Sequence, residues 1–346
     1  MKFYNLLPLT FLFLLFTNCG DSNSENEVFN LEVVNKKRTY TPNDVVTVNL
    51  SNDKGITADS VAYFLNKERL KVSGNEISLD GHKLGQRSIN AKIYKNGKEY
   101  SASDDITVVS AIKPKIYTYK VIETYPHDIR AYTQGLEFHN DTLYESTGQY
   151  KQSSLRKTDY KTGKVLQKVD LIDSYFGEGL TILNNKIYQL TWRENTGLIY
   201  NLKTLEQTGT FVYGKSREGW GLCHDGKNIY KSDGTEKIWT LNPNTLAEMD
   251  YIEIFTNTSK INSVNELEWV DGKIYANVYQ KSSIAIIDPS SGAVEGVIDL
   301  SDLKDKVTQH PTLDVLNGIA YKGEPNILYI TGKNWDKLFK IEIIEK

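Results

Sequence analysis

A chain of 346 residues is long enough for two ordinary domains, and 39% hydrophobic with 25% charged residues is the balance of a globular protein. Twenty-two tyrosines against eight prolines lean toward pleated, half-buried surfaces. The net charge of -3 and the lack of a basic stripe exclude a phosphate backbone as partner, so no nucleic acid is expected.

The chain opens with Lys2 and the almost wholly apolar run Leu6 to Phe16. That run is too short to span a bilayer and reads as a secretory signal over residues 1–18. Cys19 follows at once, then the polar stretch Gly20-Asp21-Ser22-Asn23. A Cys just behind a signal core resembles a bacterial lipobox, although Asn18 stands where a small residue is usual. Residues 19–27 are therefore expected to be a tether lipidated at Cys19. The protein is then exported and held to a membrane, facing the periplasm or cell surface. Ordinary cleavage leaving a free Cys is the other reading. Only Cys223 then remains, so no internal disulfide is expected. The five His residues (82, 127, 139, 224, 310) show no ligand-spaced pair, and no metal or cofactor is expected.

Residues 28–110 alternate apolar and polar positions, as in Val46, Val48, Leu50 and Ile89, Ala91, Ile93, with turns at Asp80-Gly81 and Asn96-Gly97. This pattern predicts a small immunoglobulin-like β-sandwich that carries no chemistry.

Residues 111–346 contain a repeat. A two-residue start recurs at Gly135-Leu136, Gly179-Leu180, Gly221-Leu222, Glu266-Leu267 and Gly318-Ile319, at spacings of 44, 42, 45 and 52 residues. Each start is followed by a turn pair and then an apolar-Tyr pair, from Leu143-Tyr144 to Leu328-Tyr329. Such units predict the blades of a five-bladed β-propeller. The last unit has room for three strands, so the unpaired strand Ile116 to Glu123 is predicted to close the ring as its outer strand. The stretch between Ser301 and Val315 is expected to form a short helix beside the mouth.

The residue before each start opens the inner strand of its blade: Gln134, Glu178, Trp220, Asn265, Asn317. A second position, four residues after each Tyr, holds Gly148, Trp192, Gly234, Tyr279 and Lys333. The turn falls halfway between the two, so both face one mouth of the central channel. Equivalent positions with unlike chemistry are what a binding site on a symmetric scaffold looks like. One carboxylate beside a lysine disfavours a cation, which argues against a metal-dependent lactonase-like propeller hydrolase. That class and a non-catalytic surface-binding propeller are the alternatives.

Tyr125 to Lys340 resembles the plant and bacterial glutaminyl cyclase family. The matching runs include Tyr125-Pro126-His127-Asp128, Tyr132-Thr133-Gln134-Gly135-Leu136, Phe176-Gly177-Glu178-Gly179-Leu180-Thr181, Gly219-Trp220-Gly221-Leu222, Val264-Asn265-Glu266-Leu267-Glu268 and Thr331-Gly332-Lys333. The resemblance implies a five-bladed propeller that turns the N-terminal glutamine of peptides or proteins into pyroglutamate with release of ammonia, without a metal. It implies that Glu178 is the catalytic carboxylate and that Gln134, Trp192, Trp220, Asn265 and Lys333 bind substrate. Tyr279 and Asn317 join them from the two rings; Tyr279 stands where the family tends to have a third Trp. A single carboxyl can carry a proton from the attacking amine to the departing nitrogen. Aromatic neighbours favour its protonated form and Lys333 its ionised form, and the sequence leaves the winner open. Trp220 N–H and Lys333 are the candidate donors to the oxyanion.

Overall fold

The computed structural model describes residues 28–346. The expected signal, tether and Cys19 lipidation lie outside the described residues. Among those described the protein is all-β, and its helical content is one 3-10 turn, Lys304–Lys306.

Residues 30–108 form two four-stranded sheets. One orders its strands Asn30–Val33, Val45–Ser51, Glu76–Ser78, Val72–Ser73; the other orders Glu68–Arg69, Ser60–Leu65, Gly85–Lys95, Lys98–Val108. Alternation places Val46, Val48 and Ile77 of the first against Ile89, Ala91, Ile93 and Val108 of the second, in one buried core. Asn96-Gly97 adopts φ 49° and 75°, the left-handed pair that a two-residue hairpin turn needs.

The remaining residues build five antiparallel four-stranded sets in chain order. Their first strands are Thr133–His139, Gly177–Leu183, Leu222–His224, Val264–Val270 and Leu316–Ala320. These pack side by side in sequence, and the fifth returns to the first. The turn signals act as expected: Asn140, Asn184, Asn185, Gly226, Asp271, Gly272 and Gly323 all have positive φ at the first hairpins of the five sets. The fifth set contributes Leu316–Ala320, Ile327–Gly332 and Lys337–Glu345, and Lys115–Pro126 is added antiparallel along its outer edge. That strand does more than the sequence suggested. Its first residues also run parallel to Val294–Asp299, from Lys115 opposite Gly296 to Tyr117 opposite Ile298, so the fourth and fifth sets share one eight-stranded sheet.

At the axis every seam is tied. Ser146 Oγ donates to Glu178 O, Gly179 N to Trp220 O (2.7 Å), Ser232 Oγ to Asn265 O (2.6 Å), Gly318 N to Asn277 Oδ1 (2.9 Å) and Asn317 Nδ2 to Thr133 O (3.0 Å). The repeat glycines permit this approach: a Cβ on Gly179 would stand 2.6 Å from Gly221 Cα. In the fourth set Glu266 replaces the glycine, and its Oε2 crosses to accept from Ile319 N (3.0 Å) of the fifth.

Candidate active site

Burial and backbone irregularity aim the site residues. Register shifts fall between Thr133 and Gly135, Gly177 and Leu180, Val264 and Leu267, and Leu316 and Ile319. These bulges hold Gln134, Glu178, Asn265 and Asn317, and a bulge re-aims the side chain it carries. Opposite them, Gly148, Trp192, Tyr279 and Lys333 donate their backbone N–H to the carbonyls of Tyr132, Phe176, Ser263 and Val315 (2.8–2.9 Å).

Gln134, Glu178, Trp192, Trp220, Asn265, Tyr279 and Lys333 line one pocket of about 210 Å³, together with Tyr132, Gln149 and Phe176. Of the expected site residues, Asn317 alone is not in its wall. It lies one step behind, fully buried, with Nδ2 on Thr133 O and on Gln134 Oε1 (3.2 Å). It therefore orients Gln134. The two glycines of the second ring make room: an added Cβ on Gly148 would strike the Phe176 ring, and one on Gly234 would strike the Trp220 indole.

Glu178 is 4% exposed. Its Oε1 accepts from Gln134 Nε2 at 3.0 Å, whereas Oε2 is buried with no partner. Burial holds its carboxyl well above the usual range; Lys333 opposes this, and the charges of Glu218 and Glu194 add to it. The Lys333 ammonium lies 4.8 Å from the Tyr132 ring centroid and 5.3 Å from that of Tyr279. Burial lowers its pKa against the pull of Glu178 and Asp314. Desolvation thus outweighs the lysine, and the neutral acid is the favoured form of Glu178. Asn265 Oδ1 is a second buried acceptor without a partner.

Of the residues that sequence reasoning missed, Gln149 follows Gly148 of the second ring, and the other three share one address. Tyr132, Phe176 and Glu218 each lie two positions before the first ring, so a third ring was present in the same repeat. Phe176 packs on Trp192 with centroids 5.6 Å apart. Glu218 Oε2 accepts from both indoles, Trp192 Nε1 at 2.8 Å and Trp220 Nε1 at 2.9 Å. Its Oε1 accepts from Arg193 Nε (3.0 Å), whose guanidinium stacks 3.7 Å over Trp192. Burial would raise the Glu218 pKa, but these three donors outweigh it and hold the carboxyl ionised, below its usual value. The Trp220 N–H is thus committed to Glu218, which corrects its assignment as an oxyanion donor. The stretch after Ser301 forms only the 3-10 turn at Lys304–Lys306, while Pro311 to Asp314 border a groove beside the mouth. Among the described residues no group of three or more His, Cys, Asp or Glu converges as a metal site.

The family model described as glutamine cyclotransferase matches residues 95–343. The chain belongs to the glutamine cyclotransferase family. Glutaminyl-peptide cyclotransferase of Arabidopsis thaliana is 42% identical over 234 residues, 66% of this chain and 72% of that one. The crystal structure of Myxococcus xanthus glutaminyl cyclase superposes with a TM-score of 0.63 at 32% identity, covering 68% of this chain and 100% of its own. The cyclotransferase match thus spans the five four-stranded sets with their shared pocket, and begins within the second sheet of the N-terminal pair.

Proposed function

We propose that this cyclotransferase family member is a glutaminyl cyclase built as a five-bladed β-propeller behind an immunoglobulin-like sandwich, with Glu178 as its single proton carrier. The N-terminal glutamine of a peptide or protein enters the pocket with its aliphatic part between Trp192, Trp220 and Tyr279. Its amide and amine face Gln134, Asn265 and Glu178. Both reacting groups belong to one residue, so the pocket need only fold the side chain back on the amine. A free α-amine has a pKa of about 8, so a useful fraction is already neutral near pH 7. The amine nitrogen bonds to the side-chain amide carbon. One proton passes from that nitrogen to the Glu178 carboxyl, which gives its own to the amide nitrogen. The carbon–nitrogen bond then breaks, and pyroglutamate and ammonia leave. Lys333 is the remaining donor for the developing oxyanion.

The observation that carries this reading is Glu178 itself: a buried carboxyl at the pocket wall whose Oε2 lacks any protein partner and whose burial favours the protonated form. The test is ammonia release from Gln-initiated dipeptides. Wild type is expected to turn over, and Glu178→Gln to lose at least about a hundredfold in kcat, within the usual range for general acid–base catalysis. Near-normal release by that variant would remove Glu178 from the mechanism. We propose further that residues 1–18 are a secretory signal and that lipidated Cys19 anchors residues 28–346 outside the cytoplasm, as the apolar run and the Cys behind it suggest. Metabolic labelling with a radioactive fatty acid, lost in Cys19→Ala, checks this.

A further inference from the structure

The reaction pocket has room for one residue. Its volume of about 210 Å³ falls below the roughly 300–1,000 Å³ of a site for a drug-sized ligand, a size for one residue rather than a peptide. A peptide whose first residue fills the pocket must run outward across the mouth. Three grooves open near that mouth. One of about 610 Å³, between Lys215 and Trp239, has no wall residue in common with the pocket. One of about 600 Å³, around Ile261 and Gln280, shares only Tyr279. The third, of about 750 Å³, shares both Tyr132 and Gln149 and continues the pocket outward between the first and fifth sets. That volume lies in the ordinary range of roughly 300–1,000 Å³ for a bound ligand.

The walls of the third groove suit an extended chain. Ile129, Pro311 and Leu313 give it apolar surface, and Gln152 adds an amide beside that of Gln149. Its carboxylate is already engaged: Asp314 Oδ2 accepts from Tyr132 OH (2.8 Å) and Oδ1 from Val315 N (2.8 Å). His310 is held by Asn334 O (2.8 Å) and Thr312 Oγ1 (3.1 Å). Arg130 is the open charge, its side chain 87% exposed and tethered to Asp128 only through Nε (3.3 Å).

Resting on the cyclase reading, we propose that this groove binds the second to fourth residues of the Gln-initiated peptide and that Arg130 selects acidic over basic side chains there. Three extended residues reach about 10 Å, so the selected side chain can lie beyond Tyr132.

The test compares kcat/KM for ammonia release from glutamine amide, Gln-Ala-Glu-Ala and Gln-Ala-Lys-Ala at low ionic strength. In wild type both tetrapeptides are expected to exceed glutamine amide, and the Glu peptide to exceed the Lys peptide about fivefold, the scale of one exposed charge pair. Arg130→Glu reverses that order. Thr312→Trp, or Gln152→Trp if the first variant fails to fold, fills the groove and lowers the ratio of tetrapeptide to glutamine-amide kcat/KM at least about tenfold, the loss of one well-packed contact. Release from glutamine amide with no gain on extension, or a groove-filling variant that leaves the ratio intact, overturns the inference and spares the cyclase reading. No release from any of the three overturns both.

Discussion

A carboxyl group kept neutral by its surroundings carries a pH signature as well as a catalytic one. Glu178 is raised above its ordinary value in the folded chain, so the native state binds a proton that the unfolded chain has lost. Its stabilising share is present below the ordinary value of 4.5 and is lost as pH rises through the folded value. Glu178→Gln keeps the shape and cannot ionise. Its melting temperature is expected to fall less between pH 5 and 9 than that of wild type, by scanning calorimetry; parallel curves would contradict the assignment of a neutral acid. Glu218 poses the opposite case, an ionised carboxylate whose one oxygen fixes both indoles. Its loop is held from below by Lys231, which donates to Glu218 O (2.8 Å) and which burial lowers to about 8 against Glu248 and Asp233. Glu218→Gln presents an amide N–H to Arg193 or to an indole in place of an acceptor. A KM increase of about tenfold with kcat changed less than threefold is expected, as for loss of a charged hydrogen bond of about 1.5–3 kcal/mol. The tryptophan emission maximum should shift with it. An equal fall in kcat alone would place Glu218 in the chemistry instead.

At the scale of elements, the sheets deliver the site through their irregularities. An ideal hairpin would point Gln134, Glu178, Asn265 and Asn317 alternately with their neighbours; the register shifts break that alternation at the mouth. The strand Lys115–Pro126 is the other decisive element, because it ties the fifth set to the fourth. Val121 pairs with Ile341 inside this shared sheet. Val121→Pro takes a backbone N–H out of the strand opposite Ile341, beside the register shift between Lys340 and Ile341. A loss of about 3 kcal/mol lowers the melting temperature by roughly 4–6 °C in a chain of this size. An unchanged melting curve would show that ring closure does not depend on this strand.

At the scale of the molecule, the two N-terminal sheets are joined to the ring. Phe255 and Ala293 of the ring complete their core, and Ser110 N donates to Thr256 O (3.1 Å). The seam is pinned by a buried ion pair, Arg87 Nη1 to Glu253 Oε2 at 2.6 Å, each side chain 8% exposed. Breaking one partner leaves the other charge buried and alone, at a cost of about 3–5 kcal/mol. Arg87→Met is expected to destabilise by that amount in urea titration, and Arg87→Met with Glu253→Met to recover most of it. Cyclase activity below the transition should stay the same, because neither residue lines the pocket. Equal stability of wild type and Arg87→Met would mean that the seam is solvated.

Local chemistry sufficed for much of this protein. Turn residues such as Asn140, Asn184 and Asp271-Gly272 carry their conformation in their own side chains or lack of one, and the repeat spacing fixes how many hairpins there are. The two rings of unlike residues were legible for the same reason, since equal offsets in equivalent hairpins reach equal depths. A third ring at Tyr132, Phe176 and Glu218 was legible too, and was passed over because it lies ahead of the regular strand. What only the assembled structure decided depends on neighbours far apart in sequence. The upward shift of the Glu178 carboxyl is a balance of desolvation against Lys333, 155 residues away, in which burial is the larger effect. The shared grip of Glu218 on Trp192 and Trp220, the placing of Asn317 behind Gln134, and the parallel pairing of Lys115 to Tyr117 are likewise products of closure, because no pattern within one strand encodes which strand from elsewhere will lie beside it.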